Sequence, residues 1–145
     1  MGKAVIKELL DAGVPKDRIW FLAATGMHRA MGREEHIRKL GEELVREYRV
    51  FSHNPFHNNT FLGVSSSSIP IEVNIEVLRA DYKVAIGGIA PHSAVGVAGG
   101  PKIVLPGICS ADTIRTFHQL PQSGGLSTPR VESRRERQLL WWVSI

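Results

Sequence analysis

Arg18-Ile19-Trp20-Phe21-Leu22-Ala23-Ala24-Thr25-Gly26-Met27-His28-Arg29 runs from an unbroken apolar stretch straight into a glycine turn and a histidine. A continuous apolar run of this length reads as a strand buried on both faces of a parallel sheet. The flanking segments agree. Residues 2–12 place Val5, Ile6, Leu9 and Leu10 on one helical stripe and stop at Gly13 and Pro15. Residues 33–47 return to helical period, with Ile37, Leu40, Leu44 and Val45 on one side and charged residues largely on the other. Tyr48 to Phe51 is predicted as a second strand, and 52–59, interrupted by Pro55, as a loop.

Further along, Phe61–Val64 and Ile69–Val73 form two short strand patterns around a serine turn, and Asn74 is placed to cap a short helix. Tyr82–Ile86 reads as another buried strand, broken by Gly87-Gly88. Ser110 is a candidate N-cap for a helix over Ala111–His118. Strands alternating with helices predict an α/β domain: layered, with a mostly parallel sheet and flanking helices.

Composition narrows the class of function. The 145 residues carry 18 Lys+Arg against 14 Asp+Glu, for a net charge of +4, with 43% hydrophobic residues. One domain with a sizeable core is expected at this length. No apolar run approaches the roughly 18 residues of a membrane span, and no signal-peptide stretch opens the chain. A soluble, cytoplasmic protein is therefore expected. The lone Cys109 excludes an intrachain disulfide and a cysteine-cluster zinc site, and it reads as a small buried hydrophobe. Half of the charge excess lies in residues 121–145, where Arg130, Arg134, Arg135 and Arg137 precede Leu139-Leu140-Trp141-Trp142. Such a tail fits either a nucleic-acid or membrane-surface arm, or an end with no role in the fold. The expected organisation is a folded unit over 1–120 and a divergent tail over 121–145 that adds little stability.

The chemistry collects where strands end, which is where open α/β sheets bind ligands. His28 follows the first apolar run, and His92 closes Gly87-Gly88-Ile89-Ala90-Pro91-His92. An imidazole titrates near neutrality, so either histidine suits acid–base work, although a histidine in a loop is more often a plain surface residue. If both strands belong to one parallel sheet, the two rings flank one crevice, as an isomerase or racemase requires. Gly96-Val97-Ala98-Gly99-Gly100-Pro101-Lys102 is loop-like and glycine-rich but lacks the Gly-Lys-Ser/Thr of a phosphate loop. Lys102 is a candidate amine for covalent attachment of a ligand, expected to be reachable by solvent. His53 and His57 straddle Pro55, which argues against helical i,i+4 chelation. His118 alone cannot hold a metal but can be the single protein ligand of one carried by an organic cofactor.

Thr25-Gly26-Met27-His28-Arg29, Gly87–His92, Gly99-Gly100-Pro101-Lys102, Leu105-Pro106-Gly107 and Thr113-Ile114-Arg115-Thr116-Phe117-His118 together resemble the N-terminal domain of the lactate racemase family. The resemblance covers roughly residues 3–120, in order. It implies a 2-hydroxy-acid racemase or epimerase whose cofactor is a nickel pincer nucleotide, a pyridinium mononucleotide with two sulfur arms. It implies further that His28 and His92 are the catalytic acid–base pair, that Lys102 joins the cofactor beside Gly99 and Gly100, and that His118 is the metal ligand. The family's reaction removes a proton and a hydride at C2 and returns hydride to the other face. Several family features are not found: an Asp-x-Thr-Arg-Pro motif on a first strand, expected to precede Met1, and a second domain that closes the cleft. Ala98 stands where the family usually has Ser. Weak or no activity is therefore expected of the chain alone, with the missing C-terminal domain as its partner and a small 2-hydroxy acid as substrate. Two other readings stay open: a non-catalytic nucleotide- or phosphate-binding module built on Gly96–Lys102, and a basic-tailed nucleic-acid binder. The oligomeric state is not legible.

Overall fold

The computed structural model describes residues 2–92 and 96–119. The tail expected over 121–145 lies outside the described residues.

The first helix, α1 (Gly2–Asp11), buries Ile6 and lays Leu9 against the same surface. A short 3-10 turn (Lys16–Arg18) leads into β1 (Trp20–Ala23). The single helix predicted over 33–47 is two, α2 (Arg33–Leu40) and α3 (Glu42–Glu47). They are separated at Gly41, whose φ of 92° and ψ of 150° only glycine adopts without strain. β2 (Arg49–Ser52) follows and pairs with β1 in parallel, with Trp20 opposite Arg49 and Ala23 opposite Ser52. This crossover through α2 and α3 is the βαβ unit that the opening stretch predicts. β1 is half-buried along its length, not buried on both faces as its apolar run implies. Arg49 of β2 stacks over the Trp20 ring, 5.6 Å from guanidinium carbon to ring centre.

β3 (Asn59–Val64) and β4 (Pro70–Asn74) form an antiparallel hairpin with an irregularity between Phe61 and Gly63. Asn74 then caps α4 (Ile75–Leu78), its side chain accepting from the Glu76 N–H at 3.0 Å. Tyr82–Ile86 is not a strand. All of residues 81–90 are exposed, with Tyr82 at 84%. A strand exists only by sharing hydrogen bonds with a neighbour, and no described strand lies alongside this run. β5 (Ala90–His92) pairs antiparallel with β6 (Gly96–Ala98), and a second 3-10 turn covers Gly100–Ile103. The last described element, α5 (Ala111–Gln119), opens on Ser110, whose Oγ accepts from the Thr113 N–H. The class is α/β as expected. Among the described residues the strands are arranged as three two-stranded ladders, of which β1–β2 is parallel.

Two apolar clusters hold these elements. Ile6, Ile19, Leu44 and Tyr48 join α1 and α3 to β1, with Phe21 edge-on to Tyr48 at 5.8 Å. Ile69, Ile71, Val73, Leu105, Cys109, Ile114 and Phe117 join β4 to α5. Thr113 stitches the second cluster further, its hydroxyl donating to the Pro70 carbonyl and accepting from the Glu72 N–H. No helix among the described residues is long and apolar enough to cross a membrane.

Because Phe117 and Ile71 are almost wholly enclosed (1% and 2% exposed), truncating either leaves a cavity that the fold cannot refill. Phe117→Ala is expected to cost about 3–5 kcal/mol and Ile71→Ala about 2–5 kcal/mol in urea unfolding. Phe61→Ser, on the exposed side of the hairpin, is expected to change stability by no more than about 0.5 kcal/mol.

Candidate functional site

The turn that carries His28 begins where β1 ends. Its first residue, Thr25, is buried, and its hydroxyl donates to the His53 carbonyl at 3.0 Å. The Thr25 carbonyl accepts from the His28 N–H at 3.0 Å, which turns the chain outward and leaves His28 exposed. Arg29 then forks onto Glu35 with N···O distances of 2.7 and 2.9 Å, and Glu35 also accepts from the Gly32 N–H. These partners, the Arg29 guanidinium foremost, hold the Glu35 carboxyl down at about 2.

Three backbone hydrogen bonds connect this turn to the segment bearing Lys102. The Gly26 N–H donates to Gly107 at 2.9 Å, the Gly107 N–H to Lys102 at 3.1 Å, and the Lys102 N–H to Gly99 at 3.1 Å. Gly99 in turn lies against Gly88 so closely that a Cβ there would come within 2.2 Å of the Gly88 oxygen. Its φ of 87° excludes other residues independently. The glycine turns singled out in the sequence therefore meet one another.

Lys102 sits on the second 3-10 turn and is half-buried, and burial pushes its amine below the usual lysine range. It is less open to solvent than the loop reading implies. His92, half-buried at the end of β5, is also pushed down, first by burial and then by the nearby Lys102 charge. The two groups thus lie within electrostatic reach of each other. His118 is exposed in the last turn of α5. It lines a shallow pocket of about 350 Å³ with Ala111, Ile114 and Arg115 of the same helix, and with Met27 and Phe56 opposite. Met27 is the neighbour of His28, so the first histidine loop and the metal-ligand candidate border one depression.

One expectation fails. His28 and His92 are not delivered by parallel strands of a single sheet: β1 pairs with β2, whereas β5 pairs antiparallel with β6 in a separate ladder. The run before His92 that would have continued the parallel sheet is extended and exposed instead. No group of three or more His, Cys, Asp or Glu converges as a metal site among the described residues.

Sequence reasoning missed the support beneath these residues. His53, 1% exposed, places Nε2 2.8 Å from the Cys109 carbonyl and Nδ1 3.1 Å from the Asn74 amide nitrogen. An amide N–H donates, so Nδ1 is the acceptor and Nε2–H the donor, which fixes a neutral ring. Burial depresses its proton affinity accordingly. Cys109 is buried and its thiol is pushed up to about 12, as befits a packing residue. The available signal was positional: Ser52-His53 ends β2 just as Thr25-Gly26 follows β1.

Residues 1–125 match the family model described as the lactate racemase N-terminal domain. The chain is 37% identical over 99 residues to a lactate racemase of Thermoanaerobacterium thermosaccharolyticum, covering 67% of this chain and 23% of that protein. It is 33% identical over 116 residues to a lactate racemase of Lactiplantibacillus plantarum, covering 79% and 27% respectively. The fold superposes on the lactate racemase apoprotein from T. thermosaccharolyticum with a TM-score of 0.75 at 30% identity, over 94% of this chain and 35% of that one. A Thermotoga maritima protein gives 0.74 at 28%, over 95% and 37%. The chain spans about a quarter of the length of the curated relatives it matches.

The neutral His53 gives a pH signature. Its folded value lies below 6.5 while the unfolded chain titrates at its ordinary value. The unfolded state therefore binds more protons, and the stabilisation is complete above about pH 6.5 and is lost as pH falls below it. The melting temperature is expected to decline from about pH 7 to about pH 5, above the range where carboxylates titrate. His53→Gln, melted at the same pH values, should show a shallower decline, the remainder coming from His92.

Proposed function

Since the chain belongs to the lactate racemase N-terminal domain family, we propose that it is the cofactor-bearing part of a nickel-dependent 2-hydroxy-acid racemase or epimerase. The observation that carries this reading is the run of backbone bonds that joins the His28 turn to the Lys102 turn, Gly26 N–H to Gly107 at 2.9 Å and Gly107 N–H to Lys102 at 3.1 Å. A deprotonated amine is the nucleophile that attachment to a thioacyl carbon needs, and the partial burial of Lys102 favours that form. The implied cofactor, a nickel pincer nucleotide, fits these residues. Lys102 would tether it beside Gly99 and Gly100, with open space where a Gly100 Cβ would stand, and the His118 imidazole is a suitable donor for nickel. With one histidine as the protein ligand, the remaining donors would come from the cofactor itself.

When bound, the cofactor supplies a hydride acceptor. The chain supplies the proton chemistry. His92, held below its ordinary value by burial and the Lys102 charge, is unprotonated at neutral pH and suits removal of the C2 hydroxyl proton on one face. His28, exposed on its turn, is the corresponding group for the other face. The substrate class, a small 2-hydroxy acid, follows from what the relatives are named for. The remainder of a protein of the relatives' length is the natural partner, closing over the half-open surface.

The test is to produce the chain with a cofactor source and read intact mass, nickel content and lactate racemisation. A mass adduct absent in Lys102→Ala but kept in His118→Ala, with nickel lost in the latter, is expected. In a protein completed to the relatives' length, His28→Ala and His92→Ala should each lower turnover by roughly 10²–10⁴-fold. Nickel content indifferent to His118→Ala, with no lysine-dependent adduct, overturns the reading.

A further inference from the structure

Residues 25–31 carry His28 from the end of β1 towards α2, and Ser52, the last residue of β2, together with His53 after it grips this loop at both ends. At its leading end, Thr25 Oγ1 donates to the His53 carbonyl at 3.0 Å. At its trailing end, Ser52 Oγ accepts from the Met31 N–H at 3.0 Å and donates to the Met31 carbonyl at 3.3 Å. His36 Nε2, on α2, lies 3.1 Å from the same hydroxyl. A serine hydroxyl has one proton and two acceptor positions. With its proton on the Met31 carbonyl, Ser52 takes the Met31 and His36 N–H groups and is fully committed. In that arrangement Nε2 of the buried His36 carries the hydrogen that meets Ser52.

Two other restraints act on this loop: the Gly26 N–H bond to the Gly107 carbonyl near its leading end, and the Arg29–Glu35 fork, whose arginine is 76% exposed. Exposed ion pairs contribute little and are screened by salt. Ser52 is half-buried and holds three groups through one atom. His53 alongside it is locked in turn by Ala23, Cys109 and Asn74, so the anchor does not move with the loop.

We infer that Ser52, backed by His53, is a positioning residue: its hydroxyl fixes the pose of the loop that presents His28 while touching no substrate. The inference rests on the reading of His28 as an acid–base residue. The mechanical part of it, however, can be measured with neither cofactor nor substrate.

The experiment is amide hydrogen exchange by NMR on the 145-residue chain, with the β4 and α5 amides as internal reference. In Ser52→Ala the Met31, Gly32 and His28 amides are expected to exchange at least tenfold faster while β4 and α5 are unchanged. The His28 Cα shift should move towards its random-coil value. Ser52→Thr, which keeps the hydroxyl, should restore the wild-type pattern. A speed-up shared equally by β4 and α5 marks a general stabilising role and overturns the proposal. An unchanged loop in Ser52→Ala, or a threonine variant behaving as the alanine one, overturns it too. A loop that responds as expected in a chain that takes up neither nickel nor a lysine-dependent adduct retires the racemase reading and leaves the loop anchor standing.

Discussion

The constraint on which the rest depends is the burial of the His53 ring between three separate pieces of chain. Its side chain reaches the Cys109 carbonyl and the Asn74 amide, its own N–H extends the β1–β2 pairing to Ala23, and its carbonyl receives Thr25. The groups so joined belong to three stretches of sequence, around residues 23–25, 74 and 109, and none could be buried without a partner at modest cost. The two apolar clusters are oily and non-directional, so they set proximity but not register. His53 supplies the direction. It aligns the parallel unit with the hairpin and with the segment leading into α5.

Asn74 shows how economically this is done. One amide group donates to His53 through its nitrogen and caps α4 through its oxygen. Its backbone N–H meanwhile bonds to Ile108. Replacing it with an apolar residue of similar size would orphan a buried ring nitrogen and a helix terminus together. Val73 next to it forms an isolated bridge to Cys109. The hairpin and the pre-α5 segment are therefore registered by two neighbouring residues.

Much of this was legible in the sequence because it depends on local rules. The apolar periodicity of α1, the Asn74 and Ser110 caps and the β3–β4 hairpin all follow from nearest-neighbour chemistry, and all are present. What was not legible depends on partners far along the chain. Tyr82–Ile86 has the composition of a buried strand, but composition cannot supply the neighbour that pairs with it. The break at Gly41 inside an otherwise continuous helical pattern needs a φ that periodicity does not report. At the site, His28, His92, Lys102 and His118 stood out because they follow turns or lie in recognisable motifs. Ser52, His53 and Asn74 did not, since a buried histidine and an exposed one look alike until the fold decides which is enclosed.

The glycine contacts around Lys102 also have a kinetic side. His92 and Lys102 are separated by about ten residues, so their approach closes a short loop. The Gly26–Gly107 bond that brings the His28 turn to the same place spans about eighty residues. Closing a loop eight times longer costs about 2 kcal/mol more in chain entropy. Contacts of such separation pay that cost before they return anything, which slows their formation. The β5–β6 hairpin and its lysine turn can therefore assemble early and locally, whereas the histidine contributed by the first βα turn joins only once both clusters have condensed. In refolding of the full chain, the lysine turn can thus form before the site is complete, an order set by the spacing of its contacts.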